Sequence, residues 1–177
     1  SAPALPHSIA NSAAIVHFPE ARQDWVRAGG ALYGLSVEHE RCGNDDGFRP
    51  AMSLSSKLVA INRVAKGERV GYGGLYECPD DMAIGVVAIG YGDGYPRSAA
   101  TGTPVLLNGR AAPIIGRVSM DLMMIDLRDH ADAAINDRVL LWGPDLPVER
   151  VAASAGTISY ELTCGITRRV MFLEDDS

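Results

Sequence analysis

Six short stretches of this chain hold residue types that chemistry needs. Gly71-Tyr72-Gly73-Gly74 sets a tyrosine among glycines, so its phenol is sterically unshielded and can reach into a cavity. A phenol so placed can act as a general acid or base where neighbours favour its ionised form. Gly90-Tyr91-Gly92-Asp93-Gly94-Tyr95-Pro96-Arg97 follows an apolar run and reads as a tight turn that presents Tyr91 and Arg97. No helical pattern and no Lys-Ser/Thr pair follows it, which argues against a nucleotide-binding loop. Gly116-Arg117-Val118-Ser119-Met120-Asp121 carries two opposite charges, and Ile158-Ser159-Tyr160-Glu161 places another tyrosine after a helix-like stretch. His7–Ser12 (HSIANS) and Val26–Gly30 (VRAGG) can offer a hydroxyl and main-chain N–H groups to a phosphate. Each stretch alone has a plainer reading. Tyr72 would be the surface residue of a hairpin corner and Tyr160 an ordinary buried tyrosine. Arg117 and Asp121 would be a surface pair worth little. Met120 would be core packing, and His7 a satisfied loop histidine.

The elements that must position these groups fall into two parts. Residues 1–50 are mixed, with strand-like pieces and a helix-like stretch around Pro19–Val26, and they end in a polar, turn-rich linker over Glu38–Pro50. Residues 51–177 read as mostly β. Leu54–Val64 alternates, and Ala83–Gly90 is an apolar strand. Pro104–Ile115 holds Asn108-Gly109 between two apolar runs, the strongest short hairpin signal. Leu122–Leu127, Val139–Trp142 and Arg169–Leu173 continue as strands. Leu146–Ala155 reads as a helix, with Pro147 early and Gly156 just past its end.

Composition narrows the function classes. A net charge of −6 over 177 residues, with no nucleic-acid motif, argues against nucleic acid or an anionic membrane as partner. No apolar run reaches membrane-spanning length. Cys42, Cys78 and Cys164 lie far apart without a CxxC pair. That spacing suits free thiols in a reducing compartment better than a disulfide framework or a metal site. The opening SAPALPHS lacks a methionine and a signal-peptide pattern, so Ser1 is read as lying inside a longer protein.

Taken together, HSIANS, WVRAGGALYG, GYGG, GYGDGYPR, GRVSMD and ISYE resemble alanine racemases in order and rough spacing, from about His7 to Phe172. The resemblance implies that residues 1–50 are the end of an incomplete (β/α)8 barrel that binds pyridoxal 5'-phosphate. Residues 51–177 would then be the carboxy-terminal β domain, with one or two helices. Phosphate sites of such barrels often sit on the last βα loops, where HSIANS and RAGG would fall.

By the same resemblance, the Ser12 hydroxyl, the Gly29 and Gly30 amides and Tyr160 hold the cofactor's phosphate. Gly30 stands where the family more usually has a bulkier residue. Because the amide makes the contact, the change should matter little. Arg27 faces the pyridine nitrogen, and His7 supports it. Tyr72 is one of two opposed bases, serving the L-alanine face of Cα, while a lysine serves the D-alanine face. Met120 meets the substrate carboxylate through its backbone N–H. Tyr91, Arg97, Arg117 and Ile158 line the access corridor, and Asp121 serves there or in positioning the Met120 loop.

The resemblance further implies a cytoplasmic, homodimeric isomerase. It would interconvert L- and D-alanine, for D-alanine biosynthesis as a peptidoglycan precursor or for catabolism. The family's Schiff-base lysine has no counterpart here: Lys57 lies in the alternating strand and Lys66 in a Lys-Gly turn. The chain alone is therefore expected to be inactive. Two other readings stand beside this one: a non-catalytic assembly or regulatory β domain, and a racemase of other amino acids such as serine.

Overall fold

The computed structural model describes residues 5–38 and 40–174. The chain divides into two compact units, Ser1–Met52 and Ser53–Ser177.

In the first unit, β1 (Ser8–Asn11) leads directly into α1 (Ser12–His17), and β2 (Trp25–Arg27) leads into α2 (Gly29–Leu32). The two strands are parallel, with Ala10 opposite Val26 and Asn11 opposite Arg27. A parallel pair requires a crossover, and α1 with a 3-10 turn at Pro19–Ala21 supplies it. Asn11 starts α1 as its N-cap, its side-chain oxygen accepting from the Ala14 amide at 3.0 Å.

The helix expected around Pro19–Val26 is not there. Proline begins only one 3-10 turn, and Trp25–Arg27 is drawn into the strand pair. Tertiary partners override local propensity at this point: the Trp25 amide donates to the His7 carbonyl at 3.1 Å, and the His7 amide to Asp24 at 2.8 Å. The expected linker over Glu38–Pro50 is also folded. It contains a 3-10 turn at Gly43–Asp46, and the buried Asp46 carboxylate accepts from the Ser36 hydroxyl at 2.6 Å and pairs with Arg41 at 3.1 Å.

The second unit is built on a closed six-stranded barrel. Its strands are β3 (Leu54–Val64), β6 (Met82–Val87), β7 (Pro104–Leu107), β8 (Arg110–Ile115), β9 (Met123–Asp126) and β10 (Arg138–Trp142). They close in the order β10-β3-β6-β9-β8-β7. The eleven-residue β3 serves two neighbours: its first half pairs with β10 and its second with β6. Asn108 and Gly109 both take left-handed backbone conformations, at φ 49° and 82°, as the two-residue β7–β8 turn requires.

Alternation sends Leu58, Val87, Val105, Leu107, Ile114, Met123, Ile125, Val139 and Leu141 into a core from which water is excluded. A hairpin of β4 (Arg69–Val70) and β5 (Tyr76–Glu77) lies between β3 and β6 in sequence. After the barrel come α3 (Val148–Ala155), closed by Gly156 in a left-handed cap, and α4 (Ser159–Cys164). The strand expected at Arg169–Leu173 is absent; the segment is a turn followed by irregular chain. The strand read over Ala83–Gly90 ends at Val87. Cys42, Cys78 and Cys164 are not joined in disulfides among the described residues. Among the described residues no helix is long and apolar enough to cross a membrane.

Gly85 sits at a tight point of the barrel interior. A Cβ there would stand 2.6 Å from Leu58 and 2.9 Å from Ile125. We expect Gly85→Val to cost about 1–3 kcal/mol by overpacking, measured by chemical denaturation. An unchanged midpoint would show that the interior has room to spare.

Candidate functional site

Each unit carries its own group of candidate residues. In the first, two strand-to-helix junctions lie side by side. Ser12 opens α1, is 6% exposed, and accepts from the Ala31 amide of α2 at 3.2 Å. That bond uses an oxygen lone pair and leaves the hydroxyl proton free to donate. Gly29 and Gly30 open α2, so their amides lie in the first turn, where no intrahelical acceptor exists. Neither helix has an acidic residue in its first turn. A donor hydroxyl, two first-turn amides and no carboxylate in either first turn suit a phosphate group. A Cβ at Gly29 would meet nothing within 4 Å, so that approach is open.

Arg27 ends β2 exposed, its guanidinium donating to the Ser8 carbonyl at 2.5 Å. The ring of His7 bonds Gln23 through Nδ1 at 2.7 Å. Arg27 is thus held by the main chain of β1, and His7 by the segment that leads into β2.

In the second unit, Tyr72 sits at the tip of the β4–β5 hairpin and is 69% exposed. The turn is made by glycine: Gly71, Gly73 and Gly74 all have positive φ, and the Gly74 amide closes it on the Gly71 carbonyl at 3.0 Å. A two-strand hairpin of this size is not stable by itself. It is seated by a separate apolar cluster in which Val70, Cys78, Met82, Ile84 and Ile115 are buried and Val64, Tyr76 and Met124 pack against them. These residues use the faces of β6, β8 and β9 opposite to the barrel interior. Burial raises the pKa of the Cys78 thiol, and burial with the nearby Asp126 charge raises that of the Tyr76 phenol, so both stay neutral within the cluster.

The seated hairpin lies against Gly116-Arg117, since a Cβ at Gly71 would touch the Arg117 amide at 3.6 Å. Leu75, Arg97, Thr101 and Arg117 line one open cleft of about 500 Å³. Tyr91 borders Arg97, whose guanidinium lies 6.0 Å above its ring. The loop around Tyr91 is bonded to the Met120 loop by two main-chain contacts: Tyr91 N–H to the Ser119 carbonyl at 3.0 Å, and Gly92 N–H to the Met120 carbonyl at 2.8 Å. Tyr72, Arg97, Arg117, Tyr91 and Met120 are therefore linked through adjoining loops.

Tyr160 lies on α4 and is 36% exposed. Burial and the Glu149 charge on α3 raise its pKa, so its phenol keeps its proton and remains a donor. Arg117 and Asp121 do not form the surface pair of the plainer reading. Asp121 pairs instead with Arg169, at 2.5 Å, and Arg169 also reaches Asp93 at 3.1 Å. The sequence alone places Arg169 in a strand and gives it no role, since no local spacing links residues 93, 121 and 169. The hairpin seat is equally hidden, because its members come from six strands and the chain after β5.

Residues 51–173 match the sequence family described as "Alanine racemase, C-terminal domain". An alanine racemase of Coxiella burnetii is 52% identical over 174 residues, which are 96% of this chain and 48% of that protein. One of Piscirickettsia salmonis is 48% identical over 92% of this chain and 98% of that protein. Among solved structures, the biosynthetic alanine racemase of Pseudomonas aeruginosa superposes with a TM-score of 0.89 at 46% identity, over 93% of this chain and 46% of that one. That of Acinetobacter baumannii gives 0.87 at 39% identity. The chain spans about half the length of the Coxiella relative.

Truncating a buried residue of the hairpin seat should be felt at the tip. Ile115→Ala is expected to cost about 2–5 kcal/mol. It should speed amide exchange at Gly67 and Cys78, at the hairpin base, more than at Val139 in the barrel. Equal acceleration at all three would mean that the hairpin has no seat of its own.

Proposed function

The chain belongs to the alanine racemase family, and from that premise we propose that it supplies the β-domain half and the phosphate-binding end of a racemase for L- and D-alanine. The observation that carries the proposal is the placement of Tyr72. Its phenol is exposed on a turn that glycine makes possible, anchored by a buried cluster, and adjacent to the loops of Arg117, Tyr91 and Met120.

Racemisation removes a proton from one face of Cα and delivers one to the other, so it needs two groups on opposite sides of that carbon. Tyr72 is the group for the L face in this reading. The base for the D face is a lysine outside this chain in this reading, since Lys57 is exposed on β3 and Lys66 is exposed in the turn after it. Pyridoxal 5'-phosphate, when bound, withdraws electrons from Cα and makes its proton removable. Ser12, Gly29, Gly30 and Tyr160 would hold its phosphate, each as a donor. Arg27 would face its ring nitrogen, and because a guanidinium does not release its proton, that nitrogen would stay unprotonated. Such a pairing limits electron withdrawal and favours simple return of the proton over side reactions. His7 would support Arg27 from the start of β1.

Met120 would bind the substrate carboxylate through its amide. That amide belongs to a loop already fixed by the Met120 carbonyl, which accepts from Gly92. Tyr91, Arg97, Arg117 and Asp121 would form the approach to the site, where two arginines on one cleft favour a carboxylate-bearing substrate. The remaining barrel, the lysine and a second subunit complete the enzyme, which we place in the cytoplasm as a homodimer.

The test compares this chain with the full-length protein, each with pyridoxal 5'-phosphate, in a coupled assay for both enantiomers. We expect racemisation by the full-length protein and none by the chain alone. Met120→Leu in the full-length protein should keep activity within about threefold, because the contact is main-chain. Racemisation by the isolated chain would overturn the division of labour. An inactive full-length protein would overturn the function.

A further inference from the structure

Asp93 and Asp121 lie on the two loops that present Tyr91 and Met120, and a single side chain joins them. Arg169 Nε lies 3.1 Å from Asp93 and its Nη2 2.5 Å from Asp121. The other oxygen of Asp93 accepts the Gly90 amide at 2.9 Å, which fixes the start of the Tyr91 turn. The chain just before Arg169 grips the same turn. The Thr167 amide donates to the Asp93 carbonyl at 3.0 Å, and the Thr167 hydroxyl to the Gly92 carbonyl at 3.0 Å. Gly92 is glycine for a reason visible here, since a Cβ would run into the Arg169 guanidinium. The turn that follows α4 is thus a clasp, and its arginine spans two carboxylates in a way only a planar, forked cation can.

We propose that Arg169 is a positioning residue for substrate binding. It sets the Tyr91 turn and the Met120 loop in one fixed relation, so that the Met120 amide and the corridor side chains meet the carboxylate together. The proposal rests on the racemase reading for what the loops bind, but the clasp itself stands on contacts within the second unit. Arg169 touches neither substrate nor cofactor in this account. Its removal should therefore weaken capture of alanine more than proton transfer at Tyr72, which sits on a hairpin with a separate anchor.

The experiment uses full-length holoenzyme carrying Arg169→Ala, Arg169→Lys or Asp121→Asn. For Arg169→Ala we expect KM for both enantiomers to rise about tenfold while kcat stays within about threefold, the scale set by loosening a substrate-orienting loop. Lysine can satisfy one carboxylate, so Arg169→Lys should recover part of the loss. Arg169→Ala with Asp121→Asn should be little worse than Arg169→Ala alone, as members of one linkage are not additive. Independently of activity, amide exchange at Tyr91 and Gly92 should accelerate in Arg169→Ala while that at Val139 stays the same.

A fall in kcat at constant KM, additive losses, or unchanged exchange at Tyr91 and Gly92 would overturn the proposal. If Arg169→Ala does not fold, Asp121→Asn alone decides, through the same rise in KM or its absence. A wild-type enzyme without racemase activity defeats the functional reading instead, and the exchange data still decide the clasp.

Discussion

An exposed tyrosine cannot hold itself in place, and the geometry of this molecule depends on how Tyr72 is held. Its side chain is 69% exposed, and its turn holds three glycines in left-handed conformations. What fixes it is the burial of Val70, Cys78, Met82, Ile84 and Ile115, two to 43 residues away along the chain, in a cluster distinct from the barrel interior. The barrel makes that seat possible. Strands buried on one face by their own closure have a second face to offer, and β6, β8 and β9 use it to carry the hairpin. The tip is left free of side-chain clutter and the base is made rigid. A general base needs both, since reach without fixed position gives poor geometry and burial without reach gives no access.

The other candidate groups are positioned by directional contacts. Hydrogen bonds from the Tyr91 turn to the Met120 loop, and the Arg169 fork over Asp93 and Asp121, make one block from three separate pieces of chain. Arg169 is half exposed, so its ion pairs count for more as geometric constraints than as stabilising energy. In the first unit, the Ser12–Ala31 bond joins the starts of two short helices and aligns their free donors. The charge pattern is consistent throughout. Arg97 and Arg117 line one cleft, and the acids of the adjoining loops, Asp93 and Asp121, are engaged by Arg169 and by the Gly90 amide.

Much of this was legible in the sequence where the signal is local. The β3 alternation, the Asn108-Gly109 turn and the Gly156 helix stop follow from the few residues that form them. Glycines around Tyr72 announced an unshielded phenol. The errors arose where distant partners decide. Pro19–Val26 has helical residues but is pulled into a strand pair by His7, and Glu38–Pro50 looks like a solvated linker but folds around the buried Asp46. Arg169 reads as the start of a strand because its partners lie 48 and 76 residues upstream. The short α4 lacks a side-chain N-cap, so its start carries no sequence signal.

The central claim is that Tyr72 moves the proton on the L face of Cα, and exchange of that proton with solvent tests it most directly. Net racemisation cannot separate the faces, because both directions share one equilibrium. Full-length holoenzyme with Tyr72→Phe would be incubated in D2O with L-alanine or D-alanine, and deuterium at Cα followed in each enantiomer. The account predicts that wash-in to D-alanine persists with retained configuration. Wash-in to L-alanine and net racemisation should fall by roughly 10²–10⁴-fold, the usual worth of a positioned base. Undiminished exchange into L-alanine, or equal loss from both enantiomers, would contradict it.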